Sequence, residues 1–486
     1  MVADAAAKLV YFSVFDPSLA PSEECAGDQI CYFHPNTTPA NYQIRQVGLA
    51  QALINFTTSF SPHRPCEIVH TKLHRIAMIQ PEPSYWIIIK VGLPTPARDA
   101  MELPDLVLQK LLWKAYNAFK LLNKSFAHVN TSQSPGALRQ RLDEFYSAYL
   151  AKLPLYLSHP DLISSLDTLH FLPLYRAPYL QTLSLVQDLE ARFANIAATL
   201  VLWKHHLVSS GLNDLVHLKS FYDYITDPET GKIADGVVSM VKPKGEPVIS
   251  SRPTTLRSNA SALAAQSPSA LLFSALSPRS SKFTGFIVPA LGETIAGTTT
   301  SMSIHPKKLY IGPDAEEMFL VVYQYRDDLT IVLFISSEHQ TAVQDRGFYT
   351  ALRTFFDSKL PTLASVISDG CSRTTKSSEY TDQHYRYLYY NAANLAFKTS
   401  IGSYKTAAIT PEIVQCMNEL HEDFESPVLN LTETCVRSVS EFWIIGRKSQ
   451  GREFYLVLSK PEMTLLDVDE EMQKLTHTHF PNIFLD

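Results

Sequence analysis

The segment LVYFSVFDPSLAPSEECAGDQICYFHP, residues 9–35, contains two short apolar runs separated by a polar loop. The runs Leu9–Phe15 and Gln29–Phe33 are rich in β-branched and aromatic residues, which favour strands, and the loop between them contains proline. This pattern predicts an antiparallel hairpin. A two-stranded hairpin is marginally stable by itself, so the residues that follow must pack on it.

A helix and further strands are predicted after the hairpin. The run Asn41–Phe56, NYQIRQVGLAQALINF, has apolar residues at helical spacing that cover about two-thirds of the helix circumference. Covering one sheet needs only a single apolar stripe, so this helix is predicted to have two partners. The alternative is that helices predicted at Asp105–Leu122 and Gly136–Leu153 cover its second face. Strands are predicted between these helices, in EIVHTKLHRIAMIQPE and SYWIIIKVGL.

The same order of strands and helices returns twice. A second copy begins with the hairpin TLVLWKHHLVSSGL, and a third begins with YRYLYYNAANLAFKTSI. In the second copy we predict that Asn213 caps a helix and that helices over Val343–Ile367 are broken at Pro361. In the third copy we predict that Thr410 caps a helix whose first residue is Pro411.

We therefore predict an α+β fold of three tandem domains, each an antiparallel five-stranded sheet flanked by helices. The first domain is predicted over residues 1–157, a helical connector over 158–195, the second domain over 196–370 and the third over 371–486. Three domains agree with the length of 486 residues.

Composition excludes several classes of protein. The chain has 42 lysine and arginine residues against 48 aspartate and glutamate residues, and the resulting net charge of −6 gives no reason to expect nucleic-acid binding. Six scattered cysteines without CxxC spacing indicate reduced thiols in the cytosol, and no signal peptide is predicted. The longest apolar tract, Met318–Ile335, has three charged residues at its centre, which indicates a hairpin instead of a membrane span.

An insert at residues 236–281 separates the second predicted helix of the second domain from its remaining strands. The insert is dense in serine and proline and poor in aromatic residues, so it is predicted to be disordered. It carries five basic residues and one acidic residue, with an apolar cluster formed by Leu271, Leu272, Phe273 and Leu276. These four residues are candidates for weak contact with an anionic membrane, and the alternative is a solvated linker.

Catalytic signatures are absent. The sequence contains no GxxxxGK[ST], GxGxxG, HExxH or GxSxG motif. Four smaller groups remain: the pair His205 and His206 at a hairpin turn, the pair His477 and His479, the acidic run from Asp467 to Glu471, and Cys371 in a predicted loop. A structural explanation is favoured for each, so no catalytic residue, metal site or cofactor is predicted, and the chain is expected to act through its surfaces.

Residues 9–93 resemble a known family. YFSVFDPSLAPSE, DQICYFHP, the helix NYQIRQVGLAQALINF and the strands CEIVHTKLHRIAMIQPEPSYWIIIKV are similar to the first longin domain of the Ccz family of vacuolar fusion proteins. The family pattern has an asparagine or aspartate before the proline that follows the first strand, and Asp16 stands there. Beyond residue 93 the resemblance rests on the repeated element order, which is similar to three tandem longin-type domains.

The resemblance implies a function as the Ccz subunit of the Mon-Ccz heterodimer, the guanine-nucleotide exchange factor of the late-endosomal and vacuolar Rab GTPase. It implies that the first longin domains of both subunits pair and form the Rab-binding surface. It further implies recruitment from the cytosol to late endosomes, vacuoles or lysosomes and autophagosomes, with the early-endosomal Rab and anionic phosphoinositide membranes as further candidate partners. The residues proposed for the pairing and Rab surface are Tyr32, His34, Asn41, Tyr42, Arg45, Gln46 and Leu49.

Two other interpretations stay open at this point. A longin-domain scaffold or a Rab effector subunit of a related trafficking complex has the same domains without exchange activity. An effector and an exchange factor differ in nucleotide preference, because an effector prefers the GTP-loaded Rab and an exchange factor prefers the nucleotide-free Rab.

Overall fold

The structure of this protein is a computed structural model. It describes residues 7–61, 65–93, 103–132, 136–151, 153, 157, 166–172, 174–226, 284–287, 306–312, 315–326, 328–377, 385–399, 410–426, 428–459 and 462–479. The insert 236–281, with Leu271, Leu272, Phe273 and Leu276, lies outside the described residues, so its predicted disorder and membrane contact stay predictions.

The predicted first hairpin is confirmed, and it is part of a five-stranded antiparallel sheet with the strand order β2-β1-β5-β4-β3. The strands are β1 (Lys8–Phe15), β2 (Ile30–His34), β3 (Ile68–His70), β4 (His74–Glu82) and β5 (Tyr85–Gly92). The helices are α1 (Ala40–Phe60), α2 (Asp105–Asn123), α3 (Phe126–Ser132) and α4 (Ala137–Leu150).

Helices cover both faces of the first sheet. Alternating strand residues such as Phe12 and Ile87 pack with α2, α3 and α4 on one face, and Tyr11 and Ile88 pack with α1 on the other. The alternative in which α2 and α4 cover the second face of α1 is therefore wrong, because the sheet separates them from α1. Whatever covers the outer side of α1 must come from elsewhere.

The second sheet has six strands where five are predicted. Its strands are β6 (Ile196–Trp203), β7 (His206–Ser210), β8 (Thr284–Ile287), β9 (Lys307–Ile311), β10 (Glu316–Tyr325) and β11 (Leu329–Ser336). The additional strand arises because β8 and β9 pair with different halves of the same edge of β10. Its helices are α5 (Arg176–Arg192), α6 (Leu215–Thr226), α7 (Gln340–Gln344) and α8 (Arg346–Ser377).

Two local predictions in this domain are wrong. Helix α8 continues through Pro361. A proline inside a helix removes one hydrogen bond, but the fully buried Leu360 and nearly buried Leu363 on either side stabilise the helix against the sheet. The cap of α6 comes from Asp214 instead of Asn213, since its Oδ1 accepts hydrogen bonds from the backbone N–H of Val216 at 2.8 Å and of His217 at 3.3 Å.

The third sheet repeats the arrangement of the first, with the order β13-β12-β16-β15-β14. Its elements are β12 (Tyr385–Asn391), β13 (Ala396–Thr399), α9 (Pro411–Glu425), β14 (Glu433–Arg437), β15 (Trp443–Ser449), β16 (Arg452–Leu458) and α10 (Leu465–His479). The predicted cap is confirmed, because the Thr410 side chain accepts a hydrogen bond from Ile413 N–H and Pro411 occupies the first helical position.

The chain divides into two compact units. One combines Met1–Thr168 with Gln383–Asp486 and holds the first and third sheets, and the other is Leu169–Asp382 and holds the second sheet. Leu166, in the predicted connector, is buried in the core of the third sheet, and α5 packs into the core of the second. The predicted domain boundaries at 157, 195 and 370 stay predictions.

Gly446 provides a test of the packing in the third domain. A Cβ atom at this position would lie 2.8 Å from Cε2 of Phe424, which extends from α9 into the core of the third sheet. We expect Gly446→Ala to lower the free energy of unfolding by about 1–3 kcal/mol, because the ring has no space to retreat. Urea denaturation measures this loss. The control is Gly48→Ala in α1, where no atom lies within 4 Å of the added Cβ and the substitution favours the helix.

Candidate partner-binding surface

Helix α1 has an inner apolar face and an outer apolar face. Val47, Ala50 and Ile54 are buried against the first sheet. Three large apolar side chains lie exposed on the same helix: Leu49 at 51%, Phe56 at 64% and Phe60 at 77%. Clustered apolar exposure on one element is typical of a protein interaction site, whereas scattered single residues are not.

Six of the exposed residues form one continuous stripe along α1. The stripe, called the α1 stripe below, consists of Asn41, Arg45, Leu49, Ala52, Phe56 and Phe60. Successive members are three or four residues apart, which places them on one side of a helix. Its N-terminal end, Asn41 and Arg45, is polar, and its C-terminal end consists of the rings of Phe56 and Phe60, whose centres are 5.0 Å apart.

The structure brings five of the seven proposed surface residues together on α1. Asn41, Arg45 and Leu49 lie on the exposed stripe, and Tyr42 and Gln46 lie half-buried on its flank. Oε1 of Gln46 accepts a 3.4 Å hydrogen bond from the ammonium of Lys90 in β5. This hydrogen bond fixes the Gln46 side chain relative to the sheet.

The other two proposed residues lie elsewhere. Tyr32 is buried on the opposite face of the sheet, where its ring packs against Phe12 and Tyr146, and it contributes to the core instead of this surface. His34 is half-buried at the end of β2, and burial lowers the pKa of its imidazole.

Sequence reasoning missed Phe60 because it ended the helix at Phe56. The intervening residues Thr57, Thr58 and Ser59 are poor helix formers, yet their hydroxyls donate hydrogen bonds to carbonyls three or four residues earlier in α1. The hydroxyls thus find acceptors within the helix, and α1 continues for one more turn to Phe60. The i and i+4 spacing of Phe56 and Phe60 is the signal that could have identified the longer stripe.

The equivalent helix of the third domain has no comparable apolar stripe. Helix α9 follows the first two strands of its sheet, as α1 does, and its residues Asn418 and His421 are buried. Its exposed side chains include Glu419, Glu422 and Glu425, and no large apolar side chain is exposed among its described residues. The outer side of α1 differs from it in the exposed apolar residues Leu49, Phe56 and Phe60.

Comparisons with known proteins agree with this architecture. The family model described as the first longin domain of INTU, CCZ1 and HPS4 matches residues 9–124, and the Intu longin-like domain 3 matches residues 381–475. A vacuolar fusion protein CCZ1 homolog of Nematostella vectensis is 30% identical, over 98% of this chain and 97% of its own length. The chain belongs to the CCZ1 family. Homologs of Xenopus laevis and Dictyostelium discoideum are 27% and 25% identical, each over at least 97% of both chains.

The predicted fold of three tandem longin domains is thus confirmed for this CCZ1-family chain. The segment QPEPSYW, on which the resemblance partly rests, has a structural role. Glu82 is buried at the end of β4, and its carboxylate accepts hydrogen bonds from the N–H groups of Phe126 at 2.6 Å and Ala127 at 2.9 Å and from the hydroxyl of Tyr116 at 3.0 Å. This side chain ties the first turn of α3 to the sheet.

One side-chain group in the CCZ1-family chain has the composition of a metal site. Ligand atoms of His421, Glu425 and Glu453 lie within 4.8 Å of one another. The ammonium of Lys448 lies 3.0 Å from Glu425 and 3.9 Å from Glu453, and Tyr455 donates a 2.6 Å hydrogen bond to Glu453. Because the lysine already supplies a cation to both carboxylates, we assign this group a structural role.

The remaining small groups have structural explanations. His477 and His479 lie in helix α10 and not on a strand, and Cys371 lies in α8 and not in a loop. Burial raises the pKa of the Cys371 thiol, which disfavours the reactive thiolate. Asp467 accepts a hydrogen bond from Thr464 N–H and lies in the first turn of α10, where negative charge is favoured.

Histidines in the second domain make its stability dependent on pH. His170 lies beside β7, and its ring centre is 6.2 Å from that of His206. Burial, followed by the positive charges of His206 and Lys219, lowers the pKa of His170 to about 4, and the nearby Asp223 only partly opposes this. His205, in the β6–β7 turn, adds a further lowering charge.

We expect the free energy of unfolding to fall as the pH decreases from about 6.5 towards about 4. In this window the unfolded chain binds a proton at residue 170 and the folded chain does not, so acid favours unfolding. The contribution of His170 is at most about 3 kcal/mol. Urea denaturation at several pH values measures it, and His170→Gln should flatten the dependence. An unchanged dependence in this variant would contradict the assignment.

Within the described part of the chain, no helix combines the length and the apolar character needed to cross a membrane.

Proposed function

We propose that this chain is one subunit of a heterodimeric guanine-nucleotide exchange factor of the Mon-Ccz type. The complex activates the late-endosomal and vacuolar Rab GTPase by stabilising its nucleotide-free state, and thereby promotes endosome maturation and the fusion of vacuoles, lysosomes and autophagosomes. The chain itself carries out no covalent chemistry. It is cytosolic and associates peripherally with these membranes, with the early-endosomal Rab and anionic phosphoinositides as further partners.

The observation that carries this proposal is the similarity to vacuolar fusion protein CCZ1 homologs along the whole chain. A role in vacuole fusion follows from their name, and a role as a trafficking factor, not a classical enzyme, agrees with the absence of catalytic motifs from the sequence. An exchange factor needs none, since it acts by binding the empty GTPase more tightly than the loaded one.

The α1 stripe supports the requirement for a second subunit. In the first domain, the apolar residues Leu49, Phe56 and Phe60 lie exposed on α1, whereas the equivalent helix of the third domain has no large apolar side chain exposed among its described residues. A stripe of this kind is typical of a surface that is buried in a complex. We assign it to pairing with the first longin domain of the Mon subunit, next to the Rab surface.

Release of a fluorescent GDP from the late-endosomal Rab tests the proposal. The reaction is followed with this chain alone, with the Mon subunit alone and with both. We expect acceleration only when both subunits are present, because the Rab surface is shared. If the pair does not accelerate release and binds the GTP-loaded Rab more tightly than the empty one, the exchange function is contradicted and an effector or scaffold function replaces it.

A further inference from the structure

Among the described residues, three large apolar side chains are exposed at one end of the third domain. Val439, in the turn between β14 and β15, is 95% exposed, and Leu465 and Leu466, at the start of α10, are 61% and 78% exposed. Exposed apolar side chains that occur together mark interaction sites more often than single ones do. These residues are therefore a candidate interaction site on a different domain from the α1 stripe.

Strand pairing brings the three residues to the same end of the sheet. Arg437 at the end of β14, Trp443 at the start of β15 and Leu458 at the end of β16 are aligned across the sheet. The turn with Val439 joins the first two of these strands, and α10 begins shortly after the third. Met463, just before α10, packs against the same apolar cluster as Trp443.

The turn that carries Val439 is fixed by the helix on the other face of the sheet. Glu412, in the first turn of α9, accepts hydrogen bonds from the N–H of Val439 at 2.6 Å and from the hydroxyl of Ser440. These hydrogen bonds, chiefly that of Ser440, lower the pKa of Glu412. A fixed turn presents an apolar side chain to a partner at a lower cost in entropy than a mobile one.

Acidic side chains accompany the apolar ones. Four of them are exposed at this end of the domain: Glu441, Glu462, Asp469 and Glu470. Asp469 and Glu470 follow Leu466 by three and four residues, which places them beside it on the surface of α10. Within the described residues, only Glu441 of these four lies within 4.0 Å of a cationic group, the guanidinium of Arg437 at 3.9 Å. The negative charge is therefore left for an external cation.

We propose that this end of the third domain binds a basic, amphipathic segment of a protein partner. The binding surface, called the third-domain tip below, consists of Val439, Leu465, Leu466, Glu441, Glu462, Asp469 and Glu470. Apolar side chains of the segment cover the exposed valine and leucines. Its lysine or arginine side chains meet the carboxylates, so the two surfaces are complementary in charge.

Charge disfavours two other occupants of the third-domain tip. The cytoplasmic face of a membrane is negatively charged and repels the carboxylates. A second copy of the chain presents the same carboxylates, and like charges brought together at an interface weaken binding. A basic segment gains from both the charge and the apolar side chains. Because the tip lies on the third domain, it acts in addition to the exchange function proposed for the first domain.

Binding of a labelled synthetic helical peptide of leucine and lysine to the full-length chain tests the third-domain tip. Fluorescence anisotropy gives the dissociation constant at about 0.05 M and about 0.3 M salt, where screening differs. For the double variant Val439→Ser and Leu466→Ser we expect roughly tenfold weaker binding at both salt concentrations. For the triple variant Glu441→Gln, Asp469→Asn and Glu470→Gln we expect weaker binding at low salt and a smaller salt dependence.

The matched control is Val428→Ser. Val428 is 87% exposed and precedes β14, so it lies at the opposite end of the same sheet, and this variant should bind the peptide like the wild type. The double variant Phe56→Ser and Phe60→Ser should also keep the wild-type affinity, because the α1 stripe lies on another domain. Unchanged affinity in both tip variants, or loss of binding in the Phe56 and Phe60 variant alone, would overturn the proposal.

Three further measurements identify the occupant and separate it from the exchange function. If the wild type binds vesicles that contain an anionic phosphoinositide and the Val439 and Leu466 variant does not, the tip is a lipid site and the proposal is wrong. If deleting residues 236–281 strengthens peptide binding, the basic segment belongs to the chain itself and the assignment to a partner is wrong. GDP release with the Mon subunit should be the same for the tip variants and the wild type, and its loss would contradict a separate site.

Discussion

Substituting aspartate for both Phe56 and Phe60 is expected to weaken the pairing with the Mon subunit at least about a hundredfold. The two rings lie in contact on the outer side of α1, and their burial in a complex would remove a large apolar area from water. Aspartate would instead bring two charges into an apolar interface without a partner. Analytical ultracentrifugation or calorimetry of the pair measures the loss, and GDP release from the Rab should fall in parallel.

The control for this variant is Val216→Asp. Val216 is exposed at 55% on α6, the helix of the second domain that corresponds to α1, so it undergoes the same kind of change on another surface. We expect normal pairing from it. Both Phe56 and Phe60 are mostly exposed, so the double variant should unfold at the same urea concentration as the wild type. Normal pairing by a folded double variant would exclude the aromatic end of the α1 stripe from the interface.

Removing the buried carboxylate of Glu82 is expected to have the largest effect on stability. In Glu82→Ala, the N–H groups of Phe126 and Ala127 and the hydroxyl of Tyr116 lose their common acceptor inside the first domain. Leaving buried donors without a partner costs the free energy of their desolvation, which for this set is about 3 kcal/mol or more. The free energy of unfolding from urea denaturation measures the loss.

Glu82→Gln separates the hydrogen bonds from the shape of the side chain. The amide keeps one oxygen acceptor but replaces the other with a donor, which cannot accept from the N–H of Ala127. We expect a loss between those of the wild type and Glu82→Ala. Hydrogen exchange should show the faster opening in α3. If Glu82→Ala were as stable as the wild type, α3 would be held by its apolar contacts alone.

The sequence by itself determined the fold class and the order of the elements. Alternation in β1 and β2, the apolar periodicity of α1 and the Thr410-Pro411 cap are local signals, and local backbone preference decides them. Repetition of the same order three times then predicted the tandem sheets, because each hairpin needs the same kind of cover. The excess of apolar residues on α1 was also visible, since it depends only on spacing.

Tertiary packing decided the rest. Pro361 lies inside a continuous helix because the buried residues around it stabilise α8 more than the missing hydrogen bond weakens it. Tyr32 was predicted on the surface and lies in the core, because the face of β2 that it occupies is fixed by pairing with β1 and by α4. Alternation identifies two faces of a strand, but only the arrangement of the helices determines which of them is covered, and by what.

The same limit of the sequence applies to the two apolar faces of α1. Sequence spacing indicated that two faces exist, and the structure assigned Val47, Ala50 and Ile54 to the sheet and Leu49, Phe56 and Phe60 to the exterior.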